Sequence, residues 1–266
     1  MAMMFRQPEP AGGMGQFTAR ISTLRDEVAR RGALALQPRP QGVRGPKWQA
    51  LLGELRTPVE HWQATRQPPR ADEQPVHSCP VMLLPGFGTH PMRMRPLARA
   101  LEAAGHRVSD WGLGFNMGAT EDRFTRLCER VVAMARKEGE PLVLVGWSLG
   151  GLFAREVAKA HPEAVRMVVT MGTPFSGDRR ANNAWRAYQL IAGHSVDAPP
   201  IGTDLAQKPP VPTVALWSPR DGIVSARSAC GRKGERDLAV ALRCTHLGFA
   251  AHPDVADVLK RLLVSD

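Results

Sequence analysis

Pro141-Leu-Val-Leu-Val-Gly146-Trp147-Ser148-Leu149-Gly150-Gly151 is the stretch on which the fold turns. Leu142 to Val145 form a short apolar run of the length of a buried strand, and the spacing turns helical directly after it, over residues 149–160. A strand that passes into a helix through a G-x-S-x-G segment predicts a nucleophile elbow. The turn is sharp, its serine is strained, and the residues two positions to either side come close together. Gly146 and Gly150 stand at those positions, where a Cβ would block closure. Ser148 Oγ is then held at the positive end of the following helix. A serine that merely caps a helix is the plainer reading; the strand before it and the flanking glycines favour the chemical one.

Outward from the elbow, residues 79 to 266 alternate short apolar strands with helical patterns. Candidate strands are 81–84, 107–111, 142–145, 167–170, 213–217 and 239–243; candidate helices are 92–104, 121–137, 149–160 and 253–263. This rhythm predicts an α/β domain with a mainly parallel sheet of about six strands and helices on both faces. Its functional groups belong on loops at the carboxyl ends of the strands. The stretch from about 175 to 211 is too long for a simple connection, holds a helical pattern near 182–191 and is rich in proline; a small lid is expected there. Residues 1–78 read as an N-terminal helical extension packing on the core, with helices over 16–31 and 48–65. In the second of these, Trp48, Leu51, Leu52, Leu55, Val59 and Trp62 form an apolar stripe expected to pack on the main domain.

A serine hydroxyl needs a base, and the base needs an orienting carboxylate. Asp221 follows the strand 213–217 in a turn closed by Gly222, with Asp178 in reserve. Among eight histidines, His246 alone follows the final strand. An oxyanion needs preorganised N–H donors. Leu149 N–H, next to the serine, supplies one, and Phe87 N–H, in the loop Leu84-Pro-Gly-Phe-Gly-Thr-His90, the other. His90 is expected at the pocket mouth, with Trp147 and Phe175 as further substrate-binding residues.

The formal charge of +10 permits attraction to an anionic membrane surface or acidic partner. No basic run is interleaved with aromatics, which argues against nucleic acid. Cys79, Cys128, Cys230 and Cys244 have no C-x-x-C spacing, so no zinc site is expected. Cys230 and Cys244 flank one basic loop and lie near enough in sequence to approach each other, but free thiols are expected in a reducing compartment. With neither a secretory signal nor a spanning segment of roughly 20 apolar residues, the expectation is a cytoplasmic protein.

The chain from Cys79 onward resembles the α/β-hydrolase superfamily, and within it a bacterial lipase/esterase-like group. The resemblance rests on Pro85-Gly-Phe87, Trp111-Gly-Leu-Gly-Phe-Asn116-Met-Gly118, Gly146–Gly151, Gly172-Thr-Pro-Phe175 and Thr245-His246-Leu-Gly-Phe249. It implies a serine hydrolase with Ser148, Asp221 and His246 as its triad, acting on a small-molecule acyl ester or lipid without cofactor or metal. Thr245 stands where the group usually has serine, and residues 230–242 are unusually basic for it. Two rivals differ in class: acyl transfer by the same triad, and a non-catalytic binding protein that retains the fold.

Overall fold

The computed structural model describes residues 13–58, 78–202 and 204–264. Six strands form one parallel sheet: β1 (Pro80–Leu84), β2 (Arg107–Asp110), β3 (Leu142–Trp147), β4 (Val165–Met171), β5 (Thr213–Trp217) and β6 (Leu238–Ala241), in the order β2-β1-β3-β4-β5-β6. Successive strand residues point to opposite faces. Val81, Leu83, Val143, Val145 and Trp147 therefore enter one core with helices α3 (Arg95–Ala103) and α7 (Pro253–Val264). Met82, Leu84, Leu142 and Leu144 enter the other with α4 (Glu121–Glu138) and α5 (Leu149–Ala160). Every residue of β1 and β3 is buried, as central strands covered on both faces require.

Local chemistry sets the helix ends. Thr120 Oγ1 accepts the Arg123 N–H at α4, Glu121 and Asp122 occupy its first turn, Arg136 and Lys137 its last, and Gly139 closes it in the left-handed region at φ 73°. A cap of this kind is worth about 1 kcal/mol. The chain leaves β1 for β2 on one side and takes up β3 on the other, so the switch point lies between the carboxyl ends of β1 and β3. That crevice is where open parallel sheets place their ligands.

Two expectations need correction. The helix expected over 48–65 is short, α2 (Trp48–Gly53) running into a 3-10 turn at Glu54–Arg56; Val59 and Trp62 lie outside the described residues. Its apolar stripe does not pack on the domain: Trp48, Leu51, Leu52 and Leu55 are all exposed, Leu55 at 76 %. Polar anchoring overrides apolar pattern here, because Glu54 and Thr57 are the residues that face inward and bond the main domain. Helix α1 (Gly13–Leu36) packs instead against α6 (Trp185–Ala192). Arg31 and Arg30 donate to Ile191 O and Gly193 O at 2.7 and 2.8 Å, supplying donors that the α6 C-terminus lacks.

Candidate active site

Ser148 follows the last residue of β3 with φ 53° and ψ −118°. Among the described residues no other non-glycine residue has positive φ, and such strain persists only where the surroundings impose it. The surroundings here are backbone: a Cβ on Gly150 would collide with the carbonyls of Leu84 and Pro85, and one on Gly146 with Gly150 and Gly151. The loop after β1 thus lies directly against the elbow.

Asn116 holds that loop. It is fully buried, its Nδ2 donates to Pro85 O at 2.8 Å, its carbonyl accepts Gly88 N–H at 2.7 Å, and its N–H donates to Thr89 O at 3.0 Å. Its place is structural, behind the loop. No described hydrogen bond takes up the N–H of Phe87 or of Leu149, and both residues line the cavity that reaches Ser148.

Asp221 and His246 meet as a buried pair, Oδ2 to Nδ1 at 2.7 Å. The other carboxylate oxygen, Oδ1, accepts from Ile223 and Val224 N–H at 2.9 and 2.7 Å, which fixes the carboxylate plane. Asn183 Nδ2 donates to Gly222 O at 2.8 Å and Asn183 N–H to Ile223 O at 2.7 Å, bracing the same turn. Ser218 Oγ donates to Cys244 O at 2.5 Å and ties the loop of the carboxylate to the loop of the imidazole. Burial pulls the imidazolium down. The charge of Asp221, its hydrogen bond and the charge of Glu54 outweigh that, and the pKa of His246 lies above its ordinary 6.5.

Trp147 lies behind the pair. Its Nε1 donates to His246 O at 3.0 Å, its ring centroid is 5.8 Å from the imidazole, and its chain neighbour is Ser148. No described hydrogen bond joins Ser148 Oγ to the imidazole; such contacts are commonly long before substrate tightens them.

The cavity at Ser148 measures about 90 Å³, with Phe87, Leu149, Leu152, Trp185, Tyr188 and Ile201 among its walls. Much of its roof comes from residues 179–201 around α6, with Leu205. Burial pushes the Tyr188 phenol up to about 12, so it stays neutral; it accepts from Ala119 N–H at 3.3 Å and packs edge-on to Phe87. Arg155, in α5, anchors the far arm of this segment. It is fully buried and donates to Leu205 O, Ala206 O, Gln207 O and Glu235 O at 3.0–3.2 Å. Burial brings its pKa down to about 10, which leaves it cationic at neutral pH.

Trp147, His90 and Phe175 do not line this cavity. Trp147 supports the imidazole from behind. His90 turns to a separate groove on the outside of α3, packs on Phe115 and accepts Met92 N–H. Phe175 is buried beneath the Arg155 guanidinium at 4.2 Å. Asp178 is exposed, and its carboxylate accepts the local Arg180 N–H, away from the imidazole. All four cysteines are free thiols, Cys230 and Cys244 included. Among the described residues, no group of three or more side chains has metal-binding geometry, and no helix is long and apolar enough to cross a membrane.

Sequence reasoning missed Glu54, Asn183, Tyr188 and Arg155. The partners of Glu54 lie more than 160 residues away, beyond the reach of any local pattern. Arg155 is the most legible in retrospect, an arginine among the buried residues of a mainly apolar helix.

Six parallel strands, a strained serine at the carboxyl end of β3 and an acid–imidazole pair on the last two strand loops define an α/β hydrolase. A family model described as the alpha/beta hydrolase fold matches residues 80–262, and the chain belongs to that family. Esterases are among its relatives. The chain is 32% identical over 122 residues to a pimeloyl-[acyl-carrier protein] methyl ester esterase of Citrobacter koseri, covering 44% of this chain and 45% of that one. It is 33% identical over 95 residues to the protein of the same name from Edwardsiella ictaluri, covering 35% and 36%. It thus spans less than half the length of these curated relatives. In fold it is similar to a monoglyceride lipase from Saccharomyces cerevisiae, solved with a substrate analogue. The TM-score is 0.50, with 15% identity over 74% of this chain and 88% of that one.

Proposed function

We propose that this protein hydrolyses carboxylic esters through an acyl-enzyme on Ser148. The observation that carries the proposal is the strained serine beside a buried Asp221–His246 pair, with the Phe87 and Leu149 N–H groups left without acceptors. Ser148 Oγ attacks the acyl carbon while its proton passes to His246 Nε2. The oxyanion that forms is bound by the two amides. The intermediate collapses, the bond to the alcohol oxygen breaks, and the imidazolium returns its proton to that oxygen. Water then attacks the acyl-enzyme with His246 again as base, releasing acid and free serine. Asp221 holds the tautomer with Nδ1 protonated throughout.

Residues 179–201, with Leu205, act as a lid, and the apolar cavity beneath takes the acyl chain. The names of the relatives, esterases of a pimeloyl methyl ester carried on acyl-carrier protein, support a carboxylic ester of modest size as substrate. Four free thiols fit a reducing cytoplasm. Purified wild type and Ser148→Ala treated with a fluorophosphonate probe, alongside p-nitrophenyl ester turnover, test the proposal. Labelling and turnover by wild type only are expected. A well-folded wild type that neither labels nor turns over ester refutes it.

A further inference from the structure

One buried carboxylate outside the family-matched residues 80–262 reaches both loops of the acid–base pair. Glu54 is 6 % exposed. Its Oε1 accepts Gly222 N–H, beside Asp221, and His246 N–H, both at 2.8 Å. Its Oε2 accepts Leu247 N–H at 2.9 Å. Thr57 reinforces the contact: its Oγ1 donates to Glu54 O at 2.6 Å and lies 3.0 Å from Thr245 Oγ1. The approach is tight, since a Cβ on Gly222 would strike the backbone of Ala50 and Leu51.

Three N–H donors shared between two oxygens require a carboxylate. An amide has one accepting oxygen and would turn its NH2 group against at least one of those donors. A carboxylate is costly to bury, and among the described residues no cation pairs with this one and backbone amides satisfy it. A packing role would be met more cheaply by an apolar residue.

We propose that Glu54 is a positioning residue for the hydrolase reaction: its carboxylate holds the Asp221 and His246 loops in register and places a second negative charge behind the imidazole. The proposal rests on the roles given above to Ser148, Asp221 and His246. It makes the segment before the family domain part of the catalytic apparatus. The charged groups that face His246 are Asp221 and Glu54; Trp147 and Phe249 close other sides with uncharged rings. Glu54 charge favours the imidazolium, the form His246 takes as Ser148 attacks.

The test uses the full chain as wild type, Glu54→Gln and Glu54→Asp. The pKa of His246 is read by NMR of the imidazole, which needs no turnover, and kcat and KM are measured against pH. Glu54→Gln is expected to lower the His246 pKa and move the acid limb of the rate profile to lower pH. It should cut kcat roughly tenfold, the scale of one charge-assisted hydrogen bond. KM should stay near wild type, because Glu54 does not line the cavity. Glu54→Asp keeps the charge and should recover the wild-type pKa and part of kcat. A folded Glu54→Gln with wild-type pKa and kcat overturns the proposal. Should Glu54→Gln not fold, Thr57→Val keeps the Glu54 carboxylate and removes the hydroxyl that bonds Glu54 O and Thr245 Oγ1; a few-fold loss of kcat at constant KM is expected, and a wild-type kcat overturns the proposal. If wild type proves inactive, the broader function fails, while the NMR titration still reports on Glu54.

Discussion

Asp221→Asn removes one charge and keeps the shape, and the surrounding backbone determines what the amide does. Asp221 Oδ1 accepts from Ile223 and Val224 N–H, while Oδ2 faces His246 Nδ1. An asparagine must keep its oxygen on the two backbone donors, since flipping would set its NH2 against both. Its NH2 therefore points at Nδ1, which can only accept, and the ring proton moves to Nε2. Nε2 is then a donor towards Ser148 and cannot take its proton. The variant should fold, with stability reduced by about 1.5–3 kcal/mol for the lost charge-assisted bond. Its kcat should fall on the order of 10⁴-fold, about 5.4 kcal/mol of transition-state stabilisation, through the wrong tautomer. KM should change little, because Asp221 lies outside the cavity. Steady-state turnover of a p-nitrophenyl ester measures the rate, and imidazole ¹⁵N shifts assign the tautomer. A folded variant within tenfold of wild type, or one retaining Nδ1–H, would refute both the role of Asp221 and the reasoning from Oδ1.

Four further outcomes follow from the same geometry. Since the reaction needs neutral imidazole and His246 titrates above 6.5, kcat/KM should rise with pH along an acid limb centred above 6.5; a limb at or below 6.5 contradicts this. Stability runs the opposite way, the contribution of His246 being complete below pH 6.5 and lost as pH climbs through the folded pKa, which denaturant titrations across pH would show. The cavity at Ser148 is small, about 90 Å³. Among p-nitrophenyl esters, kcat/KM should then peak at short to medium acyl chains and drop for palmitate; equal rates for hexanoate and palmitate would count against this cavity as the acyl site. Arg155→Met leaves the Leu205, Ala206, Gln207 and Glu235 carbonyls without their donor. It should cost roughly 2–4 kcal/mol, seen as a Tm lowered by roughly 5–12 °C in calorimetry; an unchanged Tm would mean that water or local rearrangement replaces the guanidinium.

The sheet was legible because its strands carry a two-fold signal. Val81 and Leu83 feed one core and Met82 and Leu84 the other, which produces an unbroken apolar run instead of an alternating one. All six strands fell where those runs and their turn residues stand, with ends displaced by one or two residues. At β6, which begins at Leu238 and stops at Ala241, the strand ends two residues short of the expected run. As an edge strand, only half-buried, it has little apolar signal to mark its limits. The elbow was legible for a stronger reason: Gly146 and Gly150 are imposed by backbone contacts, and a constraint of that kind leaves a mark at each residue. Asp221 and His246 could be located because each follows a strand end, where topology delivers functional groups whatever the intervening sequence.

What the sequence did not disclose has a different origin. Trp48, Leu51, Leu52 and Leu55 recur at helical spacing, and that spacing commonly marks a packed face; here the face is exposed and its opposite is anchored. Apolar periodicity records what a helix has available to bury, whereas the orientation it adopts depends on all its contacts together. Three charge-assisted bonds to Glu54, from the N–H groups of Gly222, His246 and Leu247, hold the opposite face inward, each worth about 1.5–3 kcal/mol once formed in a dry site. A lone glutamate in a helical segment gives no local sign of this, because its acceptors are matched by backbone N–H groups that every residue type carries. The same limit hid Arg155, whose partners are four main-chain carbonyls. Side chains that bond side chains leave pairs of marks in a sequence. Side chains that bond backbone leave one, and the two residues that organise the loops around this site are of that second kind.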